Sequence, residues 1–243
     1  MAGVKCGECP LRAYRIFTPF SGEELAFQQN FKSGELTVDP HTTLLMEGSN
    51  APQLFTVLEG MGVRYKTLEN GRRQVISFVL PGDFLGLQAG VMGEMRHSVD
   101  ATTRMRLCVF RREELWRLFR ASPERAYDLT WIGAIEEHLL GETIVTLGQR
   151  DAMERLAWAL YKLFRRLRAV GLGDAHSVPL PFRQQDLADA LGLSLVHTNK
   201  TLKRLREDGM AVWTEGELRI PDPPALASLG LVDLRRPERR PLV

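Results

Sequence analysis

The hydrophobic pattern of this chain changes period once, near Pro123, and that change limits the folds open to it. From about Phe31 to Phe110, turn formers interrupt the sequence about every 8–12 residues: Gly34, Asp39-Pro40, Gly48-Ser49-Asn50, Gly60, Asn70-Gly71 and Pro81-Gly82-Asp83. Between them lie short β-prone runs such as Leu54–Leu58 and Val75–Leu80, the spacing of a sandwich, barrel or jelly roll. Asn70-Gly71 predicts a type I′ turn joining Val63–Leu68 to Arg73–Leu80. Beyond Pro123 the period is helical. Within Glu124 to Gly148, Ile132, Ile135 and Leu139 recur at helical spacing, with Glu142 and Thr146 at the next seam positions. That seam is of the coiled-coil type and predicts a dimer helix, with a helix buried inside one protomer as the alternative. Leu140, Ile144 and Leu147 lie on an adjacent face. A further helix is expected from Asp151 to Val170, with Leu156, Leu160, Leu163 and Leu167 inward.

A chain of 243 residues is long enough for two modest domains, each with its own core. The net charge of +2 is uninformative, but the location of the positive charge is not. Lys162–Arg168, Lys200–Arg206 and Arg235–Arg240 are all basic and all in the second half, which points that half at a polyanion. No apolar run approaches the ~18 residues that span a bilayer, and the N-terminus lacks a signal-peptide core, so no membrane partner and a cytoplasmic location are expected. In a reducing cytosol three cysteines favour ligand or redox roles over structural disulfides.

The segment Arg183–Arg206 carries the sharpest signal. Leu187, Ala190 and Leu191 give a short helix its apolar face, and Gly192 stops it in a left-handed conformation. Leu193 fills the corner, and Ser194 caps the next helix through its hydroxyl. There Leu195, Thr198, Leu202 and Leu205 are expected to face inward, leaving Val196, His197, Asn199, Lys200, Lys203 and Arg204 outward. This is the pattern of a recognition helix for double-stranded DNA, with Arg183 and Ser194 completing the contact set. Asn199 suits an adenine edge, Lys200 a guanine edge or a phosphate, Val196 a thymine methyl group, and His197 a phosphate at the rim. Ala211–Trp213 and Leu218–Ile220 flank Thr214–Glu217 and predict a winged hairpin. From Pro221 onward the chain is rich in Pro and Arg, and its end is expected to fray.

At this point the sequence resembles the CRP/FNR superfamily, over essentially the whole chain. Pro81-Gly82-Asp83-Phe84-Leu85-Gly86 is similar to the family's glycine-bearing turn in the β-roll. Asp151–Ala157 resembles the start of the helix after the dimer helix, Asp186–Leu193 with Thr201-Leu202 the helix-turn-helix, and Leu218–Ile220 the wing. The resemblance implies an α+β fold: an N-terminal double-stranded β-helix of the cyclic-nucleotide-binding type, a long dimerisation helix and a C-terminal winged helix-turn-helix. The expected boundaries are an arm with a CxxC pair at 1–30, the β-roll sensor at 31–120 and the dimerisation helix at 121–150. The DNA-binding domain follows at 151–230 and a basic tail at 231–243. The resemblance further implies a homodimer reading a near-palindromic operator, with recognition helices roughly 34 Å apart, and RNA polymerase as a partner.

Cyclic-nucleotide binders of this family carry a Glu where Leu87 stands, and an Arg-Ser pair of which Arg96-His97-Ser98 is a loose echo. Cyclic AMP is therefore not expected. The oxygen-sensing branch holds an iron–sulfur cluster on N-terminal cysteines and one from the roll, and Cys6, Cys9 and Cys108 resemble three of those ligands. A further N-terminal cysteine is absent, with Arg15 near its place, so four thiolates from one chain are impossible. The resemblance thus implies sensing of oxygen, redox state or nitric oxide through a cluster. Zinc, a reversible thiol pair, another small effector or no cysteine function remain alternatives. A cupin-like enzyme is the remote one: His41 and His97 are isolated, no metal-binding cluster accompanies them, and no catalytic residue is expected.

Overall fold

A computed structural model describes residues 3–234 and 239–243, which divide into two compact units. The first holds residues up to 66, 77–137 and 239–243; the second holds 67–76 and 138–234.

The first unit opens with two short 3₁₀ turns, Cys6–Glu8 and Pro10–Ala13, and helix α1, Gly22–Phe31. Ser21 starts α1 with a capping box closed by Glu24. Eight strands follow: β1 (Lys32–Val38), β2 (Thr43–Leu45), β3 (Gln53–Glu59), β4 (Gly62–Thr67), β5 (Arg73–Val79), β6 (Phe84–Leu85), β7 (Ser98–Ala101) and β8 (Met105–Arg111). They form two four-stranded sheets, in the orders β1-β8-β3-β6 and β2-β7-β4-β5. First pairs with eighth, second with seventh, third with sixth and fourth with fifth. One long hairpin has therefore coiled on itself, and the β3–β8 and β4–β7 pairings close the coil. This is the double-stranded β-helix that the family resemblance implies. Its inside is apolar: Val57, Val79, Met95, Val99 and Leu107 are fully buried, with Phe55, Leu85 and Met105 packed among them.

The β4–β5 connection departs from expectation. Gly71 has φ +78° but Asn70 stays at negative φ, so the turn is not type I′. The Gly71 N–H donates to Leu68 O and the Leu68 N–H to Arg72 O, both at 2.8 Å. A three-residue loop with one left-handed glycine satisfies the same strand twist as the two-residue turn.

Helix α2 (Leu87–Met92) interrupts the roll, and α3 (Leu115–Ala121) and α4 (Pro123–Gln149) follow it. Proline at the first position of α4 costs no hydrogen bond, and the helix then runs 27 residues. Helix α5 (Ala152–Ala169) begins at Asp151, whose carboxylate accepts from Met153 N and Glu154 N while Glu154 reaches back to the Asp151 N–H. Leu156, Leu160 and Leu167 of α5 are fully buried, as their spacing predicts. The rest of the second unit is β9 (Ser177–Pro179), α6 (Gln184–Leu191), α7 (Leu195–Glu207), β10 (Val212–Thr214), β11 (Glu217–Arg219) and α8 (Pro223–Leu229). Among the described residues no helix is long and apolar enough to cross a membrane.

The expectation of a frayed end is overturned for residues 239–243. Leu242 and Val243 are 4% and 3% exposed and lie in the first unit. Two apolar side chains following the basic run explain this, since they gain more from burial than the short segment loses in freedom. The basic run Arg235–Arg240 lies partly outside the described residues.

Candidate nucleic-acid interface and thiol cavity

The second unit assembles a helix-turn-helix from local signals. Gly192 closes α6 at φ +63°, and its N–H donates to Ala188 O. The Ser194 hydroxyl accepts from His197 N at 3.2 Å, fixing the first turn of α7. Thr198, Thr201 and Leu205 are the buried face of α7. Val196, His197, Asn199, Lys200, Lys203 and Arg204 are exposed, Val196 at 79%. Leu195 is a correction: it stands at the first helical position, 38% exposed, because the helix turns inward only from Thr198. Lys203 keeps a loose ion pair with Glu207 at 3.6 Å, and its ammonium remains available to a phosphate. Asp186 is nearly buried and receives Arg183 at 2.8 Å as well as Arg73. Burial raises its pKa, but the hydrogen bonds from Arg183 and Arg73 outweigh it and hold the carboxyl below its ordinary range. Beside this unit β10 and β11 pair through a turn at Glu215 and Gly216, both at positive φ, and β9 adds a third strand. This is the expected wing, and Trp213 ties it down by donating to Leu180 O at 3.0 Å.

The predicted seam of helix α4 is partly covered within the protomer and partly open. Ile132 and Thr146 are buried, Ile135 and Leu139 half-buried. Glu142 is held by Lys162, and the Thr146 hydroxyl donates to Glu142 O and accepts from Arg150 at 2.8 Å each. The exposed apolar residues of α4 towards its end are Leu140, Ile144 and Val145. Glu136 is paired with Arg64 at 2.7 Å.

In the first unit Cys6, Cys9 and Cys108 line one cavity of about 30 Å³, together with Phe20, Gln28, Lys32, Thr56, Leu242 and Val243. The first two cysteines sit at the 3₁₀ turns and Cys108 in β8, so the arm and the roll meet there. Burial pushes the Cys6 thiol up and that of Cys108 up to about 12, against the pull of the Lys32 ammonium. Burial also opposes the charge on Lys32, yet its 2.6 Å hydrogen bond to Glu35 and that carboxylate's charge help outweigh this and raise it. Gln28, 4% exposed, leaves its Oε1 without a hydrogen-bond partner among the described residues. Gln28 and Lys32 carried no sequence signal beyond their place near a β1 strand; only the fold brings them to the thiols.

The remaining candidates separate. Arg96 is exposed and pairs with Glu94 at 2.5 Å, whereas His97 and Ser98 are buried. His97 is pushed down to about 4, first by burial and then by Arg64 and Lys66, against Glu47. Its folded-state pKa lies below the unfolded value, so the unfolded chain takes up a proton first as pH falls. The stability present above about pH 6.5 is lost progressively towards pH 4, on the order of 3 kcal/mol. His97→Gln is expected to flatten that slope in urea titrations at pH 5 and 7.5. An unchanged slope would assign the acid sensitivity to other groups.

A β-roll, a long helix and a winged helix-turn-helix with an exposed basic face define a class, the DNA-binding transcription regulators. Residues 154–229 match the Crp-like helix-turn-helix domain and residues 35–122 the cyclic nucleotide-binding domain. The chain is 30% identical to the nitrogen fixation regulation protein FixK of Bradyrhizobium diazoefficiens over 233 residues, 93% of this chain and 94% of that one. It is 27% identical to the transcriptional activator protein FnrL of Cereibacter sphaeroides, over 89% and 87% of the two chains. Among solved structures, FixK2 from Bradyrhizobium japonicum superposes with a TM-score of 0.74 at 26% identity, covering 83% of this chain and 98% of that one. The chain belongs to the CRP/FNR family of transcription regulators. Membership implies DNA binding through the helix-turn-helix, and dimerisation.

Proposed function

We propose that this regulator binds a near-palindromic operator as a homodimer, and that the state of Cys6, Cys9 and Cys108 sets its affinity. The observation that carries the sensing part is the meeting of the Cys6/Cys9 pair with Cys108, about a hundred residues further on, around one cavity. Soft thiolates suit iron–sulfur clusters, and the cluster is the group this donor set favours. The conformation described does not fit one. The cavity has room for about one water, Leu242 and Val243 wall it, and among the described residues no three His, Cys, Asp or Glu side chains form a metal-holding group. The test is anaerobic purification with an absorption spectrum and iron, sulfide and zinc analysis. Visible absorption that bleaches in air, and iron and sulfide lost in Cys6→Ser and Cys108→Ser, support the cluster. Colourless, metal-free protein that still binds its operator removes it and leaves thiol oxidation or another effector.

For the dimer, the half-buried Ile135 and Leu139 of the predicted seam and the exposed Leu140, Ile144 and Val145 of α4 together offer a second copy apolar surface. Ile144→Asp places a charge on that face and is expected to yield monomers in gel filtration, with operator affinity reduced at least a hundredfold. A dimer of parental stability would move the interface elsewhere. Binding itself should weaken steeply with salt, as phosphate contacts by Lys200, Lys203 and Arg204 release counterions.

A further inference from the structure

Residues 239–243 are bound to the first unit as a peptide is bound to a receptor. Arg240 pairs with the arm through one parallel β-bridge to Phe17: its N–H donates to Ile16 O at 2.8 Å, and its carbonyl accepts from Thr18 N at 2.9 Å. Its guanidinium reaches Asp83 Oδ1 at 3.0 Å and Gly82 O at 3.2 Å, on the turn that precedes β6. The same turn packs Phe17 so tightly that a Cβ on Gly82 would lie 2.2 Å from its ring. Next, the Leu242 carbonyl accepts from Arg125, a guanidinium 1% exposed that also pairs with Asp128 at 2.7 Å and lies 4.6 Å from the Phe20 ring. Finally the Thr56 hydroxyl donates to Val243 O. Backbone pairing to the arm, one buried cation aimed at a backbone carbonyl and an apolar cavity lined by Leu242 and Val243 are the elements of sequence-selective peptide recognition.

The far end of this groove is the thiol cavity, since Leu242, Val243, Thr56 and Phe20 line both. We infer that the first unit carries a binding groove for an extended Arg-Pro-Leu-Val segment of this chain, and that docking of this segment and occupation of the thiols by a thiophilic group exclude one another. The exclusion rests on the sensing role proposed above; the groove does not. Gln28 Oε1, buried at the cavity without a partner, marks the polar space that opens when the plug leaves.

The test uses the full chain carrying Arg240→Ala with Leu242→Asp, which removes the ion pair and charges the apolar anchor. In metal-free protein, native-state alkylation of Cys108 by iodoacetamide, followed by mass spectrometry, is expected to run at least tenfold faster in the variant. Adding the synthetic peptide Arg-Arg-Pro-Leu-Val in trans should restore the parental rate, and the peptide with Ala for its second Arg should not. Equal rates in variant and parent, or equal protection by both peptides, would overturn the groove, and a variant that is merely unfolded gains no protection from either. Anaerobic loading with ferrous iron and sulfide then tests exclusion: the variant should take up several-fold more iron than the parent. Equal, measurable loading overturns it. If neither binds iron, the cluster reading falls, and mercuric ion, a thiol-seeking probe, is titrated instead; equal affinity for variant and parent then overturns exclusion.

Discussion

Asn199→Ala is expected to weaken operator binding by about 1–3 kcal/mol at each half-site, or about 2–6 kcal/mol for a dimer engaging two. Asn199 stands on the exposed face of α7, one residue from buried Thr198, so its amide is presented to the solvent side of the helix. A bidentate amide is worth this much only where it reads a base edge, so the loss should be confined to operators with adenine at the matched position. Lys203→Ala, by contrast, should weaken all sequences alike and lower the salt slope by about one. Fluorescence anisotropy with the selected operator and single-base variants separates the two. Parental affinity and base preference in Asn199→Ala would take this residue off the list of base readers.

The second large effect is on stability. Gly60 joins β3 to β4 at φ +87°, and a Cβ there would stand 2.3 Å from Arg104 O and 2.8 Å from Met105 Cα. Both are backbone atoms, and the Met105 side chain is buried in the roll, so neither can yield cheaply. Left-handed strain adds about 1–2 kcal/mol for any residue but glycine. Gly60→Ala is therefore expected to cost about 3 kcal/mol or more, read as a lowered midpoint in urea. Gly71→Ala is the control. It shares the positive φ but meets nothing within 4 Å, so it should cost only the strain. Equal losses in the two would show that the crowding at Gly60 relaxes freely.

Legibility followed the range of the interactions. The helix-turn-helix was legible because its determinants are local: a left-handed glycine at 192, a capping hydroxyl at 194 and an apolar period resolve within one turn each. The roll was legible as a class, since turn formers set strand length, but Asn70-Gly71 specified a reversal without specifying its loop length. Helix α4 shows the limit of periodicity. Ile132, Ile135, Leu139 and Thr146 do form one face, but a repeat cannot say whether a second copy or the protomer itself covers it. The three cysteines could be named from the resemblance, whereas Gln28, Lys32 and Arg125 could not. Their roles depend on contacts between residues tens of positions apart in sequence, and no spacing encodes such contacts.

The location of residues 239–243 also bears on how the protein is made. The first unit is discontinuous in the chain, and residues 138–234 of the second unit are synthesised between its two parts. Arg125 is buried against a carbonyl that leaves the ribosome more than a hundred residues after it. Until then Arg125 lacks the Leu242 carbonyl as an acceptor, and the thiol cavity lacks its Leu242 and Val243 wall. A nascent chain stalled before Arg239 would thus carry its cysteines more accessible to metal, cluster donor or oxidant, and synthesis of residues 239–243 would close that window.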